Sequence, residues 1–151
     1  MSRMIQGPDA RNLNFGYRAS KSTGTLAAST VALFTVADGR VALTSIHGVV
    51  TTAVTVANSY KLQHNPTTGT TVDLFAATDI GTTDTPVGDL LGFTGDVGGS
   101  FLTTGGAVET LRAPIVLAAG QIESVSAGTD GAITWVVTWV PLDDGATLAA
   151  A

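Results

Sequence analysis

Cysteine is absent from this 151-residue chain. Its absence excludes a disulfide framework, a thiolate metal site and a cysteine nucleophile. Charge is scarce as well: Asp, Glu, Lys and Arg make up 13% of the residues, against about 25% in ordinary soluble domains. Aromatic residues reach only 6%, so a broad sugar-stacking platform is hard to build. No stretch attains the ~18 uninterrupted apolar residues of a membrane span. Residues 26–37 come nearest, and Ser29, Thr30 and Thr35 interrupt them. The first residues lack the apolar core of ~7–15 residues that a secretory signal needs. No membrane partner is expected.

The charge that is present is unevenly placed. Residues 1–24 hold Arg3, Arg11, Arg18 and Lys21 against Asp9 alone, a net of +3. The remainder has three bases and eleven acids, a net of −8, which together give the formal −5. So acidic a body repels phosphate backbones, which are bound by clustered Lys and Arg. No nucleic-acid partner is expected. The surface implied is poor in charge and rich in Thr, Ser and Gly, which suits a face lying against other protein.

From residue 25 onward the pattern is that of short strands. Val31-Ala32-Leu33-Phe34-Thr35-Val36 is followed by Asp38-Gly39, a two-residue signal for a type I′ hairpin. Residues 41–51 form a long β-type run in which Gly48 is expected to mark a bulge or bend. Residues 54–57, 60–64 and 72–77 continue the series, with a turn at Asn65-Pro66. Residues 79–106 are dense in Gly, Thr and Asp, with a strand expected near 90–94. Residues 107–112 could form one helical turn. The sequence "GTDG" at 128–131 is expected to join 121–126 and 133–140 as a hairpin. In the last run Ile133, Trp135, Val137 and Trp139 share one face, and Pro141 ends it. Strands at this spacing predict an all-β, antiparallel sandwich or barrel, jelly-roll-like. The expected division is an extended N-terminal arm over 1–24, one β domain over 25–142 and a short tail over 143–151.

The arm shows neither strand nor helix period. Leu13, Phe15 and Tyr17 alternate, as in a segment that docks on a partner as an added strand. Apart from them, little chemistry is visible. His47 and His64 are the only histidines, and a zinc site needs three or four clustered ligands. No G-x-S-x-G elbow, phosphate loop or calcium loop is present. Asp143-Asp144 and Asp79 with Asp84 are expected to be solvated turn carboxylates. Trp135 and Trp139 are expected to be core. The expectation is no enzyme, no catalytic residue, no metal and no cofactor.

Four stretches carry a resemblance: "IQGPDARNLNFGYRA", "TVALFTVADGRVALTSIHGVVTTAV", "KLQHNPTTGTTVDL" and "GQIESVSAGTDGAITWVVTWVPLDDGA". Together they resemble the small capsid decoration, or cement, proteins of tailed bacteriophages. The resemblance implies a β-rich subunit on the capsid exterior of the virion, a homotrimer that binds the mature head and bridges neighbouring major capsid protein subunits. It implies partner contacts in the arm, at Arg3, Ile5, Arg11, Leu13, Phe15, Tyr17, Arg18 and Lys21. Two rival expectations are a receptor- or glycan-binding module of a phage tail or adhesin, with Trp135 and Trp139 as its platform, and a hydrolase built on His47 or His64.

Overall fold

The computed structural model describes residues 7–99 and 102–151. The described residues open with a helix, α1 (Gly7–Phe15), and continue as strands. These are β1 (Tyr17–Ser22), β2 (Ser29–Ala37), β3 (Val41–Thr52), β4 (Ser59–Pro66), β5 (Val72–Asp73) and β6 (Thr78–Asp79). Then come β7 (Leu90–Gly92), β8 (Leu102–Thr104), β9 (Ile115–Leu117), β10 (Gly120–Ser126), β11 (Ala132–Pro141) and β12 (Thr147–Ala150).

Among the described residues the strands form two antiparallel sheets. One runs β1-β11-β3-β7-β8, with β9 also on β3. The other runs β12-β2-β10-β4-β5, with β6 also on β4. The sheets pack face to face, so the fold is an all-β sandwich and not a closed barrel. The chain changes sheet at nearly every step from β1 to β4 and again from β9 to β12. That wrapping is the jelly-roll order.

The core is what the alternation of β11 predicts. Ile133, Trp135, Val137 and Trp139 face inward and are buried. Opposite them stand Phe34, Tyr60, Leu62 and Ile122 from the second sheet. Trp135 Nε1 donates to Tyr60 Oη at 2.8 Å, and Ser124 Oγ donates to the same oxygen at 2.9 Å. The first bond joins the two sheets through the middle of the core, and the second ties β10 to β4 within one sheet. Gly48 lies opposite Trp135 in the β3–β11 pairing. A Cβ there would stand 3.2 Å from the indole ring, so the glycine makes room for the tryptophan.

Several expectations change. Asp38 and Gly39 do take positive φ, 59° and 141°, but the turn carries the chain from one sheet to the other and closes no hairpin. The "GTDG" segment likewise crosses from β10 to β11. Asn58 holds that crossing: its Oδ1 accepts the N–H groups of Ala127 and Gly128 at 3.0 and 2.8 Å. The turn after Asn65-Pro66 does lead β4 back to β5 as a hairpin. The β3–β11 register shifts at Thr44 and Thr51, not at Gly48. Residues 54–57 keep only the bridge of Val54 to Thr85. Residues 107–112 are not helical: Thr110 Oγ1 takes the N–H of Ile46 at 3.0 Å along the edge of β3. The segment 143–151 is no loose tail, since Thr147–Ala150 pairs with β2.

Candidate functional site

The arm divides into two parts. Tyr17–Ser22 is an edge strand of this subunit's own sheet, in register with β11 from Trp139 to Thr134. The expected extended arm over 1–24 therefore ends before residue 17. The part before it is helical, not extended. Pro fits the first turn of a helix, where its missing N–H costs nothing; Pro8 lies there. Gly16 closes the helix at φ 87°, donating its N–H to the carbonyl of Asn12 at 2.8 Å. Such a glycine is a common helix terminator. A side chain at Gly16 would collide with the Trp139 carbonyl. Thr44 Oγ1 donates to the Phe15 carbonyl at 2.6 Å and ties the end of the helix to β3.

The helix buries little. Leu13 is 73% exposed and Phe15 62%. In a helix residues two apart point to different sides, so the single apolar face expected for Leu13, Phe15 and Tyr17 does not form. Tyr17, 53% exposed, belongs to β1 and leans on Trp139 with ring centroids 5.2 Å apart. Arg18 sits on the outer face of the same strand, and its charge, second to burial, lowers the His47 pKa. Lys21 Nζ donates to the backbone oxygen of Ala151 at 2.6 Å, linking β1 to the end of β12. Arg3 and Ile5 lie outside the described residues, as does the side chain of Arg11.

Where β1 and β12 run side by side, the rim of the sandwich is open. Tyr17, Arg18, Trp139, Pro141 and Leu148 wall a groove of about 500 Å³. Sequence inspection missed this groove. Its walls come from residues 17–18 and from residues 139–148, and no local pattern announces that they meet.

The other candidates stay apart. His47 is on β3 and His64 on β4, in different sheets. His64 is buried on the inner face, and neither ring nitrogen makes a well-formed hydrogen bond. Burial pushes its pKa down, offset in part by the backbone of Gln121 and Ala118 and by Glu123. Asp79 accepts hydrogen bonds from the N–H groups of Asn58, Gly81 and Thr82 and from the Thr82 hydroxyl. These bonds depress its pKa strongly and make it a turn organiser. Asp143 is pulled down to about 2 by its hydrogen bonds to Arg40, which clamp the β2–β3 corner to the start of the β12 approach. Trp135 and Trp139 are in the core and offer no stacking platform. Among the described residues no group of three or more His, Cys, Asp or Glu could hold a metal ion. Among them, too, no helix is long and apolar enough to cross a membrane.

The fold and the arm together define a two-sheet β module with an N-terminal helix that exposes Leu13 and Phe15. No protein family, curated protein or solved structure matches this chain.

Proposed function

We propose that this chain is a structural virion protein, a trimer that binds the exterior of a mature tailed-phage head and bridges neighbouring major capsid subunits. The observation that carries the proposal is the exposure of Leu13 and Phe15 on α1. Leu13 and Phe15 stand in solvent on a helix that the sandwich does not need, because the core closes without them. Fully burying such side chains is worth ~1.5–3 kcal/mol each, less the cost of ordering them. A trimer presents three arms at once, and linked weak contacts act as one strong contact. Binding only the mature lattice then stabilises that lattice by mass action. The resemblance of the four stretches to decoration proteins supports the same conclusion. The mechanism is bridging, with no bond-making step.

The test is co-sedimentation with expanded, undecorated tailed-phage heads. The cut belongs after Phe15, so that β1 and the Tyr17–Trp139 contact survive. Full-length protein should sediment with the heads, and the truncated protein should bind at least tenfold more weakly while keeping its circular dichroism. Equal binding by both would remove the arm from the mechanism. No binding by the full chain would overturn the proposal.

A further inference from the structure

The two outer faces of the sandwich differ in how their charges are met. On the sheet of β12, β2, β10 and β4 they are matched within the face. Glu123 is buried, and its two carboxylate oxygens accept the amide N–H groups of Gln63 and Asn65 at 2.7 and 3.1 Å. Lys61 pairs with Asp73 at 2.7 Å. The sheet of β1, β11 and β3 is built differently. None of its strands contains Asp or Glu, although the chain has 12 acids. Arg18 is exposed on its outer face and has no ion pair among the described residues. At one end of that face Val140, Ala42 and Val116 stand abreast on β11, β3 and β9. They point outward, because their chain neighbours Trp139, Leu43 and Leu117 are in the core. Val116 is exposed.

The end of α1 lies on this same side. Thr44 Oγ1, which donates to the Phe15 carbonyl, is 2.7 Å from Thr138 Oγ1, and Thr138 stands opposite Arg18 in the β1–β11 register. Leu13 borders a hollow that Val140 also lines. The exposed Leu13 and Phe15 therefore extend the apolar row of Val140, Ala42 and Val116 into one surface, with Arg18 beside it. We propose that this outer face, and not that of the other sheet, lies on the head. Val116 and Val140 then rest on apolar side chains of a major capsid subunit, and Arg18 meets one of its carboxylates.

This deepens the capsid reading and rests on it: if the end of α1 grips the shell, the sheet face beneath it turns the same way. Charge sets the chemistry of the occupant. An exposed guanidinium on a sheet without carboxylates finds its complement in an acid from outside, and Arg suits a bidentate carboxylate pair. Residues 25–151 carry a net −8, and a sheet free of acids is the one that can approach such an acid without like-charge repulsion.

Three point variants test the face by co-sedimentation with expanded, undecorated tailed-phage heads. Val116→Asp puts a charge into the apolar row, and Arg18→Glu reverses the lone cation. Thr30→Asp adds a charge to the outer face of the other sheet, where Thr30 stands opposite Val125. All three positions are exposed, so each variant should keep its circular dichroism. V116D should bind at least tenfold more weakly than the unmodified chain, at the same mass by light scattering. R18E should bind several-fold more weakly at about 50 mM salt, with the gap closing at about 500 mM as the charge is screened. T30D should bind within twofold of the unmodified chain. Undiminished binding by a folded V116D would overturn the proposal; if V116D does not fold, undiminished binding by R18E at low salt decides in the same way. A loss confined to T30D would overturn it as well. So would a V116D of smaller mass, since the row would then lie between copies of this chain. In each of these cases heads bound by the unmodified chain leave the capsid function standing. Heads ignored by the unmodified chain would remove the function and this face together.

Discussion

Single residues in this sandwich act mostly through burial. Tyr60 is the best case. Its hydroxyl receives Trp135 Nε1 and Ser124 Oγ, and burial drives its pKa well above the usual phenol value. Tyr60→Phe removes the acceptor that both donors use inside the core. The expected cost is about 1–3 kcal/mol, measured by denaturant unfolding at neutral pH. An unchanged midpoint would mean that the two bonds to the Tyr60 hydroxyl carry no weight. His64 gives a pH effect of known sign. Its folded pKa lies below the unfolded value of about 6.5. The folded state therefore resists the proton that the unfolded chain accepts. Stability is full above pH 6.5 and falls as the pH drops from there through the folded value. His47 is shifted in the same direction, so His64→Leu should flatten the loss between pH 7 and pH 5 without abolishing it. The depressed aspartates, Asp79, Asp130 and Asp143, enter only below about pH 4, where carboxylates begin to titrate, and do not confuse that window.

Elements decide how much of the arm is arm. β1 is held by β11 along its whole length, and Ala19 packs against the core. α1 is held mainly at its end, by the Thr44 bond and Gly16. Two truncations should therefore differ. Removing residues 1–15 should leave the melting temperature within a degree or two. Removing residues 1–22 uncovers Trp139 and the edge of β11, and should lower it by several degrees, since about 1 kcal/mol already moves a chain of this size by ~2–4 °C. Equal melting temperatures would show that β1 adds nothing to the sheet. The longer strands β2, β3, β4, β10 and β11 are legible in the sequence, whereas β1 and β12 fall where an arm and a tail were expected. The inward set on β11 follows from alternation alone, and so does the Pro141 stop. Residues 7–15 form a helix where an extended segment was expected, since Pro8 suits the first helical turn as well as a turn outside a helix.

At the scale of the whole molecule, charge separation is the dominant feature. Residues 1–24 carry a net +3 and residues 25–151 a net −8, but Arg18 and Lys21 stand on β1, so the stretch before it holds Arg3 and Arg11 against Asp9. Contacts made by the arm should weaken as salt rises, because exposed charges are screened over about 10 Å at 0.1 M. Self-association and head binding measured between 50 and 500 mM salt should each fall several-fold. Salt-independent binding would leave the apolar side chains as the sole grip.

The sequence by itself determined the β class, the faces of the strands and the residues that take left-handed turns. These are local properties: side chains alternate at every step of a strand, and Asp38-Gly39 adopts positive φ whichever strands it joins. Only the tertiary structure decided which strands pair. The same tight turn can close a hairpin or arch between two sheets, and the difference lies in residues 100 positions away, as when Asp143 grips Arg40. The groove between β1 and β12 has the same origin, since Tyr17 and Leu148 become neighbours only when both edges of the sandwich are in place.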